Sequence, residues 1–242
     1  MVRFERAIVV GASSGIGAEI VRQLAARGCK VAAVARRLDR LQALAAEFPG
    51  LVVAFQHDVT RCNEAPAVFQ EATKQLGGLD LVVYAAGVMP AVGPDEFDFE
   101  KDRQMVEANF LGAVAWLNQA AIRFQNTRQG TIVGVGSVAG DRGRRGQPVY
   151  NATKAALATY LEALRNRLSR YGVKVVTVKP GPTQTEMTAS LGLKAVPTAE
   201  ATARRILAKA GRTGERYLSP VHWVVFTILR NVPSPIFRRL KL

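Results

Sequence analysis

A strand, a glycine turn and a helix follow one another without a break near the N-terminus, and no other feature limits the fold as tightly. Arg6-Ala-Ile-Val-Val10 is a short β-branched run, and Gly11-Ala-Ser-Ser-Gly15-Ile-Gly17 succeeds it at once. Over residues 18–27, Ile20, Val21 and Leu24 recur at helical spacing. Such a turn presents free backbone N–H groups and the positive end of a helix dipole, and glycines let a pyrophosphate approach both. The spacing, G-x3-G-x-G, departs from the common G-x-G-x-x-G. Glycines alone could serve a mere tight connection. Their place between strand and helix points instead to a dinucleotide site built from Gly11, Ser13, Ser14, Gly15, Ile16 and Gly17.

Strands and helices then alternate along the chain. Lys30–Ala35, 51–56, 79–85, 130–135 and 173–178 are apolar runs of strand length, and helical periodicity marks 63–76, 100–124, the run opening at Tyr150, and 198–210 with Thr198 as N-cap. Alternation of this kind predicts an α/β fold, a doubly wound parallel sheet of about seven strands with helices on both faces. Residues 1–220 read as one domain. Residues 221–242 form an apolar and basic tail, either part of that domain or a surface contact with a membrane.

Composition removes several alternatives. No run approaches the ~20 apolar residues of a membrane span, and the first strand begins too early to leave room for a signal peptide. Cys29, Cys62, His57 and His222 have no metal-ligand spacing, so no metal is expected and a reducing, cytoplasmic location fits. His57 reads as an ordinary loop histidine. A net charge of +14 favours anionic partners, but the basic residues are scattered, without a nucleic-acid motif, and no nucleic acid is expected.

Chemistry concentrates between Ser137 and Lys154. Ser137 ends an apolar run, which sets its hydroxyl at the C-terminal end of a strand, where open α/β sheets bind ligands. Tyr150 and Lys154 lie four apart on one helix face. A free phenol titrates near ~10, and an adjacent ammonium would draw it toward neutrality, where proton transfer is effective. A tyrosine four residues before a lysine is commonplace, so the weight comes from the rest of the chain. After the second strand, Arg36-Arg37 stands where an NAD site usually carries an acidic residue, which favours NADPH over NAD; both arginines could also simply open a solvated helix. Asp58, with Val59, could meet an adenine amino group. Asn109 is an amide among apolar neighbours and must bind a backbone group or a water near Lys154. Ala86-Gly87 closes the fourth strand, and Pro180-Gly181 with Thr183 and Thr185 turns the chain out of the sixth. Residues 186–196 are a candidate mobile lid.

Together these residues resemble the short-chain dehydrogenase/reductase family, over roughly residues 5–220. Gly11, Gly15 and Gly17 match its cofactor glycines, Asp58 its adenine contact, and Asn109, Ser137, Tyr150 and Lys154 its catalytic tetrad in order and spacing. The resemblance implies a Rossmann fold, a homodimer or homotetramer formed through the two long helices, and hydride exchange between nicotinamide and a carbonyl carbon. In that scheme Tyr150 is the acid, Ser137 orients the oxygen, Lys154 lowers the tyrosine pKa and contacts the ribose, and Asn109 supports a relay water. Val10 replaces a frequent threonine, and Tyr84-Ala85-Ala86-Gly87 replaces the usual Asn-Asn-Ala-Gly, which leaves the bracing of the central strand open.

The tail carries Trp223, Phe226 and Phe237 beside Arg230, Arg238, Arg239 and Lys241, a composition suited to an anionic membrane surface and equally to a helix over the core or a subunit contact. With Gly140-Asp-Arg-Gly-Arg-Arg145 it is similar to the decaprenylphosphoryl-2-keto-ribose reductase branch, which implies a lipid-linked keto sugar as substrate and attachment to the inner face of a membrane. Generic ketones, steroids and 3-oxoacyl thioesters are the alternative substrates. The pocket is expected from 88–95, 139–145 and 183–196, with Arg142, Arg144 and Arg145 at its mouth as phosphate ligands. A nucleotide-binding module without turnover is a further alternative. A serine hydrolase is not, because Ser137 lacks a G-x-S-x-G elbow.

Overall fold

Alternate side chains of the first strand enter two separate cores, and the whole architecture follows from that. In β1 (Arg6–Val10), Ala7 and Val9 pack on one face while Ile8 and Val10 pack on the other, so helices must cover both. The computed structural model describes residues 2–93, 95–192 and 195–240. Its sheet is parallel throughout and includes β2 (Lys30–Ala35), β3 (Val52–Gln56), β4 (Leu81–Tyr84), β5 (Thr131–Val135), β6 (Lys174–Lys179) and β7 (Gly214–Tyr217). The order is β3-β2-β1-β4-β5-β6-β7. Strand order reverses between β1 and β4, which opens a crevice at their carboxyl ends.

On one face lie α1 (Gly15–Ala25), α2 (Leu38–Glu47) and α7 (Ala199–Lys209), contributing Ile20, Leu24, Leu41 and Ile206. On the other lie α3 (Ala65–Leu76), α5 (Gly112–Thr127) and α6 (Pro148–Leu168), contributing Phe69, Trp116, Leu117 and Leu161. Thr198 caps α7 by accepting from the Ala201 N–H. The predicted fold class therefore holds, with several local differences. β7 has the polar sequence Gly-Glu-Arg-Tyr and was not visible as a strand in the sequence. The predicted helix over 100–124 is two helices, α4 (Phe99–Val106) and α5, joined by a π-helical turn, Glu107–Leu111, that carries Asn109. Such turns concentrate at functional sites.

Tyr84 settles how β4 is braced. Its side chain is fully buried and its hydroxyl donates to the Ala108 carbonyl at 2.6 Å, tying the strand to the π turn where the family has amides. His57 lies in the loop after β3, as expected, but is not an ordinary surface histidine. It is buried, Trp116 Nε1 donates to its Nδ1 at 3.3 Å, and burial lowers its pKa, so it is a neutral core residue.

The tail folds as α8 (Pro220–Asn231) and the short α9 (Ser234–Phe237). Lys241, along with Pro94, Leu193 and Lys194 of the expected pocket and lid, lies outside the described residues. Asp141, whose side chain is fully buried, joins α8 to the sheet: Lys179 Nζ donates to its Oδ1 at 2.5 Å, Tyr217 donates to its Oδ2 at 2.8 Å, and the Arg230 guanidinium pairs with Oδ1 at 2.9 Å. Among the described residues no helix is long and apolar enough to cross a membrane.

Candidate active site

The crevice beyond β1 and β4 starts at the glycine turn. Gly11 sits at φ +90°, and a Cβ on it would meet Ala86 N at 2.4 Å; a Cβ on Gly17 would lie 2.1 Å from Gly11 O. Side chains are thus excluded where the turn closes. Ser14, the N-cap residue of α1, makes no side-chain capping bond, because its hydroxyl accepts from Arg37 instead. The first N–H groups of α1 therefore lack the usual side-chain cap, and the chemistry of that end fits a pyrophosphate.

Gly11, Ser13, Ser14, Gly15, Ile16, Gly17, Arg36, Arg37, Asp58, Val59, Ala86, Gly87 and Thr185 all line this cleft. Asp58 is fixed by Thr60, whose N–H and hydroxyl both donate to its Oδ1. Tyr150, Lys154, Pro180, Gly181 and Thr183 line an adjoining cavity of about 410 Å³ together with Ser137. Ile16, Ala85, Gly87, Thr185 and Met187 border both spaces. Met89, Val135, Val138 and Ala139 give the second cavity apolar walls.

Ser137 Oγ accepts from the Ala139 N–H at 3.0 Å, and its own proton is directed to the Tyr150 phenol. Lys154, buried in α6, donates from Nζ to Val135 O at 3.0 Å and lies 5.7 Å from the centre of the Tyr150 ring. Burial alone pushes Lys154 down to about 8. Burial also raises Tyr150, while Ser137, by hydrogen bonding, and Arg144, by its charge, pull it back. Arg144 thus joins Lys154, whose ammonium lies over the Tyr150 ring, as a second cation near the phenol. Asn109 is buried: its Oδ1 accepts from the Val88 N–H at 2.7 Å, and its Nδ2 donates to Val88 O and Thr153 Oγ1. A backbone segment is what this amide holds. Gly87 passes between Asn109 and Lys154, since a Cβ there would lie 3.1 Å from Asn109 Oδ1 and 3.7 Å from Lys154 Nζ.

The expected cluster of three arginines does not form at the cavity. Only Arg144 lines it. Arg142 turns to the tail, donating to Arg230 O and Val232 O and stacking 4.7 Å over Phe237, whereas Arg145 is exposed. Backbone carbonyls at a helix end and an aromatic face captured Arg142, a tertiary choice that no local pattern signals. Gln147, which donates to Pro90 O, borders the site outside the expected pocket segments, and the segment expected as a lid contributes Met187 and Glu186, which pairs with Arg37 at 3.0 Å.

The family described as short chain dehydrogenase matches residues 5–195. An uncharacterized oxidoreductase of Myxococcus xanthus (strain DK1622) is 38% identical over 190 residues, covering 77% of this chain and 75% of its own. The 3-oxoacyl-[acyl-carrier-protein] reductase of Bos taurus is 33% identical over 183 residues, 76% of this chain and 77% of its own. Among solved structures, ElxO with NADP bound superimposes with a TM-score of 0.83 over 91% of this chain and 99% of that one, and at 21% identity it shows the same fold. This chain belongs to the short-chain dehydrogenase/reductase family of NAD(P)-dependent oxidoreductases.

Proposed function

We propose that this protein is an NADPH-dependent reductase of a carbonyl compound, with the reverse oxidation of the alcohol open to the same groups. The observation that supports it is the shared wall: the cavity holding Ser137, Tyr150 and Lys154 meets the cleft at Gly87 and Thr185. When bound, the nicotinamide supplies the hydride for the carbonyl carbon. Tyr150 gives its phenolic proton to the carbonyl oxygen, and Ser137, beside the phenol, donates its O–H to the same oxygen to orient it. Lys154, anchored on Val135 O, keeps further N–H groups for the cofactor's ribose. Asn109 acts as a positioning residue by holding Val88 beside Gly87.

NADPH rather than NAD is favoured by Arg36 and Arg37 in the cleft, with no acidic side chain at the end of β2. ElxO, the structural neighbour, carries NADP. Fluorescence titrations with NADPH and NADH test this. Tighter NADPH binding is expected; preference for NADH would remove the phosphate assignment, and binding of neither would remove the oxidoreductase reading.

For the substrate we favour a lipid-linked keto sugar bearing a phosphate. Apolar walls suit a lipid, and Arg144, whose Nε is buried without a partner, suits an anion. The name of the Bos taurus relative offers a 3-oxoacyl thioester as the second class, and generic ketones or steroids remain as less charged candidates. Arg144→Ala should raise KM for a phosphorylated ketone while Arg145→Ala, away from the cavity, leaves it unchanged. Equal effects, or none, would remove Arg144 from substrate recognition. We further assign the chain to a homodimer or homotetramer, using the exposed Val106, Leu111 and Ile122 of the α4–α5 segment. The tail belongs with the main domain while resting on the inner face of a membrane, in keeping with a cytoplasmic protein.

A further inference from the structure

The arginine meant for the cofactor's phosphate already holds an anion of the protein's own. Glu186, the first residue of the turn Glu186–Leu191 after β6, reaches across the cleft to the loop that follows β2. Its Oε2 accepts from Arg37 Nη1 at 3.0 Å, and its Oε1 accepts from Arg40 Nη1. The other N–H groups of Arg37 go to Ser13 Oγ and Ser14 Oγ, so the guanidinium is held in place on the glycine turn. The two arginines keep the Glu186 carboxyl below the usual carboxylate range, and it stays charged at neutral pH. The next residue, Met187, borders both the cleft and the substrate cavity.

We propose that Glu186 is a specificity-determining residue that occupies Arg37 and Arg40 as an internal counter-anion and is exchanged for the 2′-phosphate of NADPH, with Arg40 as a second phosphate ligand. This rests on the NADPH reading above. All three side chains are substantially exposed, and exposed ion pairs are weak. A phosphate monoester carries about −1.5 to −2 charges and three acceptor oxygens near pH 7, and displaces a single carboxylate from two guanidinium groups. NADH brings no anion to that place and leaves Glu186 where it is. Arg37 and Arg40 are thereby kept charge-compensated and oriented in the absence of cofactor, and the competition falls on one cofactor only.

Fluorescence titrations with NADPH, NADH and adenosine 2′,5′-bisphosphate decide the matter. Glu186→Gln should tighten NADPH and the bisphosphate by about two- to five-fold, the worth of a weak exposed pair, and leave NADH unchanged. Arg40→Ala should weaken NADPH and the bisphosphate and leave NADH unchanged, which also shows that the variant is folded. Glu186→Gln shifting both cofactors equally, or weakening NADPH, would overturn the proposal, as would an Arg40→Ala protein that binds NADPH like wild type. Those outcomes leave the NADPH reading intact; a wild-type protein that binds neither cofactor removes both.

Discussion

At the scale of single residues, two buried cations set the electrostatics. Lys154 loses hydration inside α6 and titrates at about 8, whereas an unfolded lysine titrates near ~10.4. Between those values the unfolded chain binds more protons than the folded one, so stability must rise with pH through that window. Below about pH 8 the cost of burying the charge is present in full. Cofactor-free wild type should therefore gain stability relative to Lys154→Met as pH is raised from about 7.5 to about 10, measured by denaturant unfolding. A constant difference between the two proteins would contradict the buried-ammonium assignment. Lys179 is the opposite case, a buried cation whose charge is met by Asp141 and Glu215.

At the scale of elements, that second cation ties β6, β7 and α8 into one unit. Asp141 is approached by Lys179, Tyr217 and Arg230, and Arg142, next in sequence, grips the carbonyls at the end of α8. The loop that brings Arg144 to the cavity is thus anchored on the tail. Asp141→Asn leaves Lys179 buried with a weaker set of partners, and breaking a buried pair costs about 3–5 kcal/mol. A loss of that size in unfolding free energy is expected; a change within about 0.5 kcal/mol, as for a surface site, would show that the network does not hold α8.

How much of this was legible beforehand differs by element. β1 to β6 are apolar runs with β-branched residues, and each sits within two residues of its expected bounds at either end. β7 was invisible because an edge strand with one neighbour need not be hydrophobic. The π turn at Asn109 was invisible because a single extra residue per turn does not disturb a 3.6-residue pattern enough to register. Ser137, Tyr150 and Lys154 were legible through local spacing. The partners of Arg142 and Glu186 were not, because each is chosen by a segment distant in the chain.

At the scale of the whole molecule, the +14 charge and the tail act together. Trp223 and Ile228 on α8 are 59% and 60% exposed, with Arg238 and Arg239 following. Apolar area together with positive charge is what an anionic bilayer attracts, and the charge component weakens with salt. The protein should sediment with phosphatidylglycerol-containing vesicles and not with phosphatidylcholine alone, lose that binding in Trp223→Ser/Ile228→Ser, and lose part of it in high salt. Equal partition to both vesicle types would contradict this face as an anionic-surface contact.

Turnover by Tyr150→Phe, measured beside its NADPH affinity, reaches the central assignment most directly. Loss of a positioned general acid should lower kcat by about 10²–10⁴-fold while the Kd for NADPH stays close to wild type. Retained turnover in the phenylalanine variant would contradict Tyr150 as the proton donor.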